Sequence, residues 1–242
     1  MYFEIPDNEK LFIDKSRTDR IVITGLKCNL SIDQIVENRK VIVVKANEVF
    51  IDGDLIFPGG TVDISARTIH SNNGKIDVSG EKGDPDFENR ASALPGPNPG
   101  DNGTNGKNGG DGKVGGTISI TAESLKGKLS LYANGGNGGT AQNGGNGVKG
   151  KRGTDMKGCA KPTNGHQGGN AGNAGKPGNG GKGGNISFSF VNAPETGQLT
   201  LSAKGGKAGK AGTHGTRGEG GDPGKGGVVY GFDWMGCDSR TI

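Results

Sequence analysis

The chain has 242 residues with 51 glycines and 10 prolines, but only 29% apolar residues, eight Phe, three Tyr and one Trp. One large hydrophobic core is therefore out of reach, and most of the chain must be held together by other means. Its net charge of +4 comes from Lys and Arg interleaved with Asp and Glu, a mixed surface that requires neither a nucleic acid nor a membrane as partner.

No segment is long and apolar enough to span a bilayer, and the opening MYFEIPDNEKLFIDKS lacks the basic start and apolar run of a signal peptide. The expected location is the cytosol, or outside the cell or on a virion by a route that needs no such leader. Cys28, Cys159 and Cys237 are an odd number at wide spacing, so they read as reduced thiols, with a Cys159–Cys237 bridge as the alternative.

Residues 1–40 form an expected N-terminal strand and cap region. Ile21 and Ile23 alternate as in a strand, and Ser31 with Gln34 has the spacing of a capping box, which predicts a helical turn or two over 32–38 at an open end of the fold. From 41 onward one module recurs: VIVVKANEVFIDGDLIF (41–57), TVDISARTIHSNNGKIDVSG (61–80), TISITAESLKGKLSLYA (117–133) and NISFSFVNAPETGQLTLSA (185–203), with a partial copy VVYGFDW (228–234).

Apolar residues fall at Ile42, Val44, Ala46, Val49; at Val62, Ile64, Ala66, Ile69; at Ile118, Ile120, Ala122, Leu125; and at Ile186, Phe188, Phe190, Ala193. Gly53, Gly74, Gly127 and Gly197 then precede a second apolar pair, which aligns Leu55, Ile76, Leu129 and Leu199. Alternation with period two makes each half a strand with one buried face, and the glycine offers a corner where positive φ is cheap. Two architectures fit: stacked rungs of a β-solenoid, in which identical modules bury one another's faces, or a set of hairpins.

Between modules the chain makes glycine-rich excursions over 80–116, 135–184 and 205–227, with glycine at every third position from 100 to 115, 144 to 153, 169 to 184 and 206 to 227. Three residues per turn is the period of polyproline II, and glycine at that period gives each helix one bare edge along which backbones touch. Ordering a backbone costs about 1 to 2 kcal/mol per residue and a hydrogen bond returns a net of about 1 kcal/mol, so nearly every interior amide of such a sheaf must be bonded. The alternative is a set of flexible loops.

These tracts, with GGNGG and GNAGNAGKPGNGGKGG, resemble the glycine-rich springtail antifreeze proteins and the glycine-rich distal adhesins of phage tail fibres. The resemblance is one of metre and composition, covers under half the chain, and implies a polyproline II bundle. The expected fold is all-β with polyproline II: a β-solenoid or stacked β-modules whose excursions pack as a helix bundle, with almost no α-helix.

Several motifs mimic chemistry. GNGVKGKR (145–152) begins like a phosphate-binding loop but has Arg152 where Ser or Thr should hold magnesium. Asp84, Asp86 and Glu88 have the chemistry of calcium ligands and read as a polar turn. His70, His166 and His214 lack metal-site spacing, so no metal or cofactor is expected. Asp63 and Asp77 stand at outward positions, with Ser119, Ser187, Ser130 and Thr200 at the equivalent positions of later modules, a hydroxyl ladder rather than an acid pair.

The glycine metre breaks at DPDFENRASALPGPNP and TDMKGCAKPTNGHQ, where a side chain costs the lattice nothing. Phe87, Arg90, Leu94, Met156, Lys157 and His166 are therefore the candidate contacts. The expected function is non-enzymatic: a structural and binding module, an adhesin or the targeting part of a toxin or fibre, with a cell-surface glycan or a protein receptor as partner and a larger chain or assembly around it. Ice binding is one alternative and a solenoid polysaccharide-active enzyme another.

Overall fold

The computed structural model describes residues 3–4, 10–14, 20–30, 40–88, 92–157 and 160–226. The expected cap over 32–38, the contact Arg90, the Cys159–Cys237 bridge and the partial module 228–234 lie outside the described residues. The fold is all-β: nine strands in one sheet dominated by parallel pairs, with no helix among the described residues.

The strands are β1 (Phe3–Glu4), β2 (Lys10–Asp14), β3 (Arg20–Asn29), β4 (Val41–Ile51), β5 (Asp54–Ile56), β6 (Thr61–Asp77), β7 (Thr117–Tyr132), β8 (Asn185–Phe190) and β9 (Leu199–Ser202). The modules pair in parallel and in register instead of folding into hairpins. Ile42, Val62, Ile118 and Ile186 face one another in turn, as do Val44, Ile64, Ile120 and Phe188. Alternating β-branched residues put one apolar row of each strand on the same side, and stacking removes those rows from water. Each fully buried Val, Ile or Leu contributes about 1.5–3 kcal/mol.

Two features depart from the expected module. β3 is itself a rung: Ile21, Ile23, Gly25 and Cys28 face Ile42, Val44, Ala46 and Val49, so Arg20–Asn29 of the expected strand and cap region pairs with the first module. The second halves of the modules also align differently from the expected pattern. Ile76 faces Leu131 and not Leu129, because the ladder keeps the register of the first halves as far as Asn72 and Lys128 and slips by only one residue between Asn72 and Gly74. Asp77 consequently lies beside Tyr132, while Ser130 faces Lys75 and Thr200.

The shift has a local cause. Asn73, not Gly74, takes the left-handed conformation at φ 56°, whereas Gly127 and Gly197 hold φ 89° and 87° at the corners of their own modules. Gly74 is required for another reason, since a Cβ there would fall on the Ile51 carbonyl oxygen. Ser71, buried at this corner, donates its hydroxyl to the Lys128 carbonyl oxygen at 2.6 Å and accepts the Gly74 amide at 3.0 Å.

By its contacts the chain divides into two compact units, Met1–Asp84 with Gly110–Gly139 and Gly178–Gly209, and Pro85–Gly109 with Thr140–Pro177 and Lys210–Ile242. Among the described residues the first holds the nine strands and a hydrophobic core that includes Ile21, Cys28, Val44, Ile64, Ile76, Ile120 and Leu131. Phe188 and Leu201, in the core-facing rows of the last rung, are each 45% exposed, because no further strand pairs with β8 or β9 among the described residues.

The described residues of the excursions form five legs: leg 1 (79–88 and 92–94), leg 2 (100–116), leg 3 (134–157), leg 4 (160–184) and leg 5 (203–226). Within the first unit they bond to one another at three-residue steps. Gly135 and Gly138 donate to Lys204 and Lys207, Gly136 and Gly139 to Lys113 and Gly110, and Gly206 and Gly209 to Gly181 and Gly178, at 2.8–2.9 Å.

Candidate functional site at the turns of the legs

The same step governs the second unit. Leg 3 sends the amides of Ala141, Gly144, Gly147, Gly150 and Gly153 to carbonyl oxygens of leg 5, from Lys210 through Asp222, at 2.8–2.9 Å. It sends those of Gln142, Gly145 and Val148 to Lys107, Thr104 and Asp101 of leg 2. Gly169, Gly172 and Gly175 of leg 4 donate back to Val148, Gly145 and Gln142. A Cβ on any of these three would fall on a carbonyl oxygen of leg 2, that of Asp101, Thr104 or Lys107. Glycine at every third position is thus a packing requirement.

A second series of bonds was not anticipated from the sequence. Asn102, Asn105 and Asn108 accept through Oδ1 the amides of Asn170, Asn173 and Lys176, and Asn143 and Asn146 accept those of Thr213 and Thr216, all at 2.7–2.9 Å. Asp155 does the same for Lys225. These are amides off the glycine edge, which a three-residue backbone step leaves without a carbonyl partner. The signal lay in the metre itself: asparagine recurs every third residue beside the glycines.

The turns carry the expected contacts. Phe87 is only 6% exposed, and its amide bonds Thr140 while the Asp86 carboxylate accepts the Thr140 amide at 2.8 Å. Of the expected contacts among the described residues, Phe87 is thus the one that is buried. Leu94 is 76% exposed, anchored by its carbonyl oxygen, which accepts both the amide and the hydroxyl of Thr104. Met156 and Lys157 sit on a hairpin closed by the Lys157–Ala160 bridge and by Thr154 with Thr163. Met156 is half-buried, whereas Lys157 and His166 are exposed. His166 lies against Lys151, whose carbonyl oxygen accepts its amide at 2.9 Å. The structure therefore joins Met156 and Lys157 on one hairpin, places His166 two three-residue steps down its return arm, and leaves Leu94 on the other turn.

The glycine row of leg 4 runs 184, 181, 178, 175, 172, 169 and then gives way to His166 and Thr163. Leg 2, which that row faces, turns away at Gly100, where φ is 87°. Past this point legs 3, 4 and 5 continue together: Gly153 and Met156 bond Asp222 and Lys225, and Gly221 and Gly224 bond His166 and Thr163. This stretch is basic. Lys149, Lys151, Arg152, Lys157, Lys161, Arg217 and Lys225 stand against Asp155, Glu219 and Asp222, an excess equal to the +4 of the whole chain. Lys149 pairs with Asp222 at 3.0 Å and Arg152 with Asp155. Lys151, Lys157, Lys161, Arg217 and Lys225 are exposed and have no ion pair among the described residues.

Other clusters are occupied by their own members. An open groove of about 420 Å³ is lined by Leu26, Lys27, Asn47, Glu48, Arg67 and Thr68, and its charges pair, Lys27 with Glu48 and Arg67 with Glu123. His70 stacks on Phe50 at 4.5 Å with its Nε2 3.7 Å from Glu48, and His214 Nδ1 receives the Ala174 amide at 3.4 Å. Glu88 stands 3.6 Å from the Lys210 ammonium. Asp63 has Val43 and Ser119 as strand neighbours, and Asp77 has Ile56 and Tyr132, so neither faces a second acid across the ladder. Among the described residues no three His, Cys, Asp or Glu side chains gather as a metal site, and no helix is long and apolar enough to cross a membrane. No family model matches the chain, and no curated protein or solved structure matches it.

Proposed function

We propose that the protein is a non-enzymatic structural and binding module, an adhesion or targeting part of a larger fibre, surface or toxin assembly. In this reading the rungs form a β-solenoid and the legs are polyproline II helices, as the glycine metre and its resemblance to polyproline II bundles imply. The three-residue hydrogen-bond step and the glycine edges that admit no Cβ support that geometry. The observation that carries the function is the hairpin at Lys157, where exposed side chains stand on legs whose backbones are bonded on several sides. A rigid base with variable side chains at its turns suits recognition, because little ordering entropy is spent on binding.

The test is a printed array of neutral and acidic glycans probed with the whole chain and with a variant in which 155–162 is replaced by a short Gly-Asn-Gly linker. Binding that disappears in the variant, with the bound glycan unchanged in mass after prolonged incubation, is expected. No binding to any glycan, equal binding by both proteins, or cleavage of the glycan overturns the proposal.

Ice binding has a specific observation in its favour, on the sheet instead of the legs. Thr61, Asp63 and Ser65 face Thr117, Ser119 and Thr121, which face Asn185, Ser187 and Ser189. These small polar side chains form a grid of roughly 4.8 Å between strands by roughly 6.6 Å along them. The Asp63 charge interrupts it, and Lys204, Lys207, Lys210, Arg217 and Glu219 crowd the exposed leg. A gap between melting and freezing points at millimolar protein, lost in Thr121→Lys, would favour this second reading.

A further inference from the structure

We infer that the ends of legs 3, 4 and 5 beyond the turn of leg 2 bind an anionic polysaccharide, through Lys151, Lys157, Lys161, Arg217 and Lys225. This rests on the reading of the protein as a binding module and names the chemistry of its partner.

The first support is where the charge sits. A chain of mixed charge has no overall demand for an anionic partner, yet the whole of its excess falls on 149–166 and 215–226. The hydrogen bonds of Gly150 to Glu219, His166 to Lys151 and Gly221 to His166 bring these segments side by side. Five cations without an ion pair among the described residues, on one bonded base, repel one another, a standing cost that a polyanion relieves.

The second support is the space. Leg 2 covers leg 3 as far as Val148 and Lys149, whose amide and carbonyl oxygen, respectively, bond Asp101 at 3.0 Å and Gly100 at 2.9 Å. Beyond them, no backbone bond from leg 2 reaches Lys151 among the described residues, and in leg 4 the glycine row ends at the same level with His166 in place of a glycine. The lattice therefore opens a ledge where leg 2 stops, floored by backbone and edged by Lys151 and His166. Lys151 and Lys157 lie on one side of leg 3 two steps apart, about 19 Å at the polyproline II rise, which fits repeated anionic groups along a polymer better than one small anion.

The third support separates the classes of polyanion. Single-stranded nucleic acid is held by stacking on aromatic faces, and membrane surfaces by apolar and aromatic side chains beside the basic ones. The two segments that carry the charge, 149–166 and 215–226, contain no Phe, Tyr or Trp, and Met156 is their one large apolar residue. Basic clusters set among small polar residues, as in KGKR at 149–152, match acidic glycans.

The experiment uses the full chain and immobilised heparin, with binding measured from 50 to 300 mM NaCl. Lys151→Gln/Lys157→Gln/Lys161→Gln should weaken binding at least tenfold, while Lys126→Gln/Lys128→Gln/Lys204→Gln, which removes the same charge elsewhere, should change it less than about threefold. Both variants are first shown to melt within a few degrees of the parent. Equal losses in the two variants, or no heparin binding at 50 mM salt, overturn the inference. Tighter binding to single-stranded DNA, or to vesicles with 30% phosphatidylserine, also overturns it and names the other class. If heparin fails while a neutral glycan on the array is still lost with 155–162, the binding-module reading stands and only this chemistry falls.

Discussion

The Gly175 amide donates to the Gln142 carbonyl oxygen at 3.0 Å, while a Cβ built on Gly175 would fall on the carbonyl oxygen of Lys107. Legs 2, 3 and 4 thus meet at one glycine. Gly175→Ala must push leg 2 away and loosen several bonds together, so it should destabilise by on the order of 1 to 3 kcal/mol. In a flexible loop the same change would be neutral or stabilising. Ala174→Ser, on a half-exposed position, should stay within about 0.5 kcal/mol. Thermal melts of the three proteins distinguish the outcomes, and equal values for Gly175→Ala and the parent would sink the packing argument.

Tolerance along the leg 4 row should change where leg 2 ends. Gly169→Ala meets the Asp101 carbonyl oxygen and is expected to destabilise as Gly175→Ala does. His166→Ala, one step further along, should leave the melting temperature nearly unchanged. A large loss in His166→Ala would mean that the row is still covered there.

The side-chain series predicts a difference between two substitutions at one site. Asn143→Ala removes the acceptor of the Thr213 amide, which stands 2.8 Å away, and should cost about 0.5 to 1.5 kcal/mol. Asn143→Asp keeps an acceptor and should cost less, as Asp111 and Asp155 already hold the amides of Asn179 and Lys225 at 2.7 Å. Chemical denaturation of both variants checks the order, which the series requires.

At the corner of β6, Ser71→Ala would leave the Gly74 amide and the Lys128 carbonyl oxygen without the hydroxyl that now bonds both. The expected loss is on the order of 1 to 3 kcal/mol, the range for orphaned buried polar groups. A variant as stable as the parent would show that another group can reach them.

Cys28 is buried and unpaired in the core, and burial pushes its thiol up to about 11. The folded protein then holds its proton where the unfolded chain has lost it, so stability is full below about pH 9 and falls as pH rises toward 11. Folded protein should resist thiol reagents at Cys28 at pH 8 and react on unfolding. The loss between pH 9 and 11, on the order of 2 kcal/mol, should be absent in Cys28→Ala. Rapid alkylation of Cys28 in the native state would contradict this.

The sequence alone determined the rungs and the metre. The spacing of two, two and three that aligns Ile42, Val62, Ile118 and Ile186 is the register found, because only one alignment buries every apolar row at once. The same spacing was present at Ile21, Ile23 and Cys28 and marked β3 as a rung, though without a glycine tract after it the pattern was easy to pass over. Every third glycine was equally legible, since a missing Cβ has a meaning that does not depend on context.

What only the tertiary structure decided was which legs meet and where each one stops. The ladder keeps the register of the first halves as far as Asn72 and Lys128, and the extra residue at Asn73 then slips it by one, which sets Ile76 on Leu131 instead of Tyr132, a slip set by hydrogen bonds across the corner and invisible to an alignment of glycines. Phe87 sits in a break of the metre like Leu94 and yet is buried, because its leg has a neighbour at that level. The basic ledge is likewise absent from any single stretch of sequence. It exists because Lys151, His166 and Arg217, far apart along the chain, stand on legs 3, 4 and 5, which outrun leg 2, and exposure depends on where a neighbour ends.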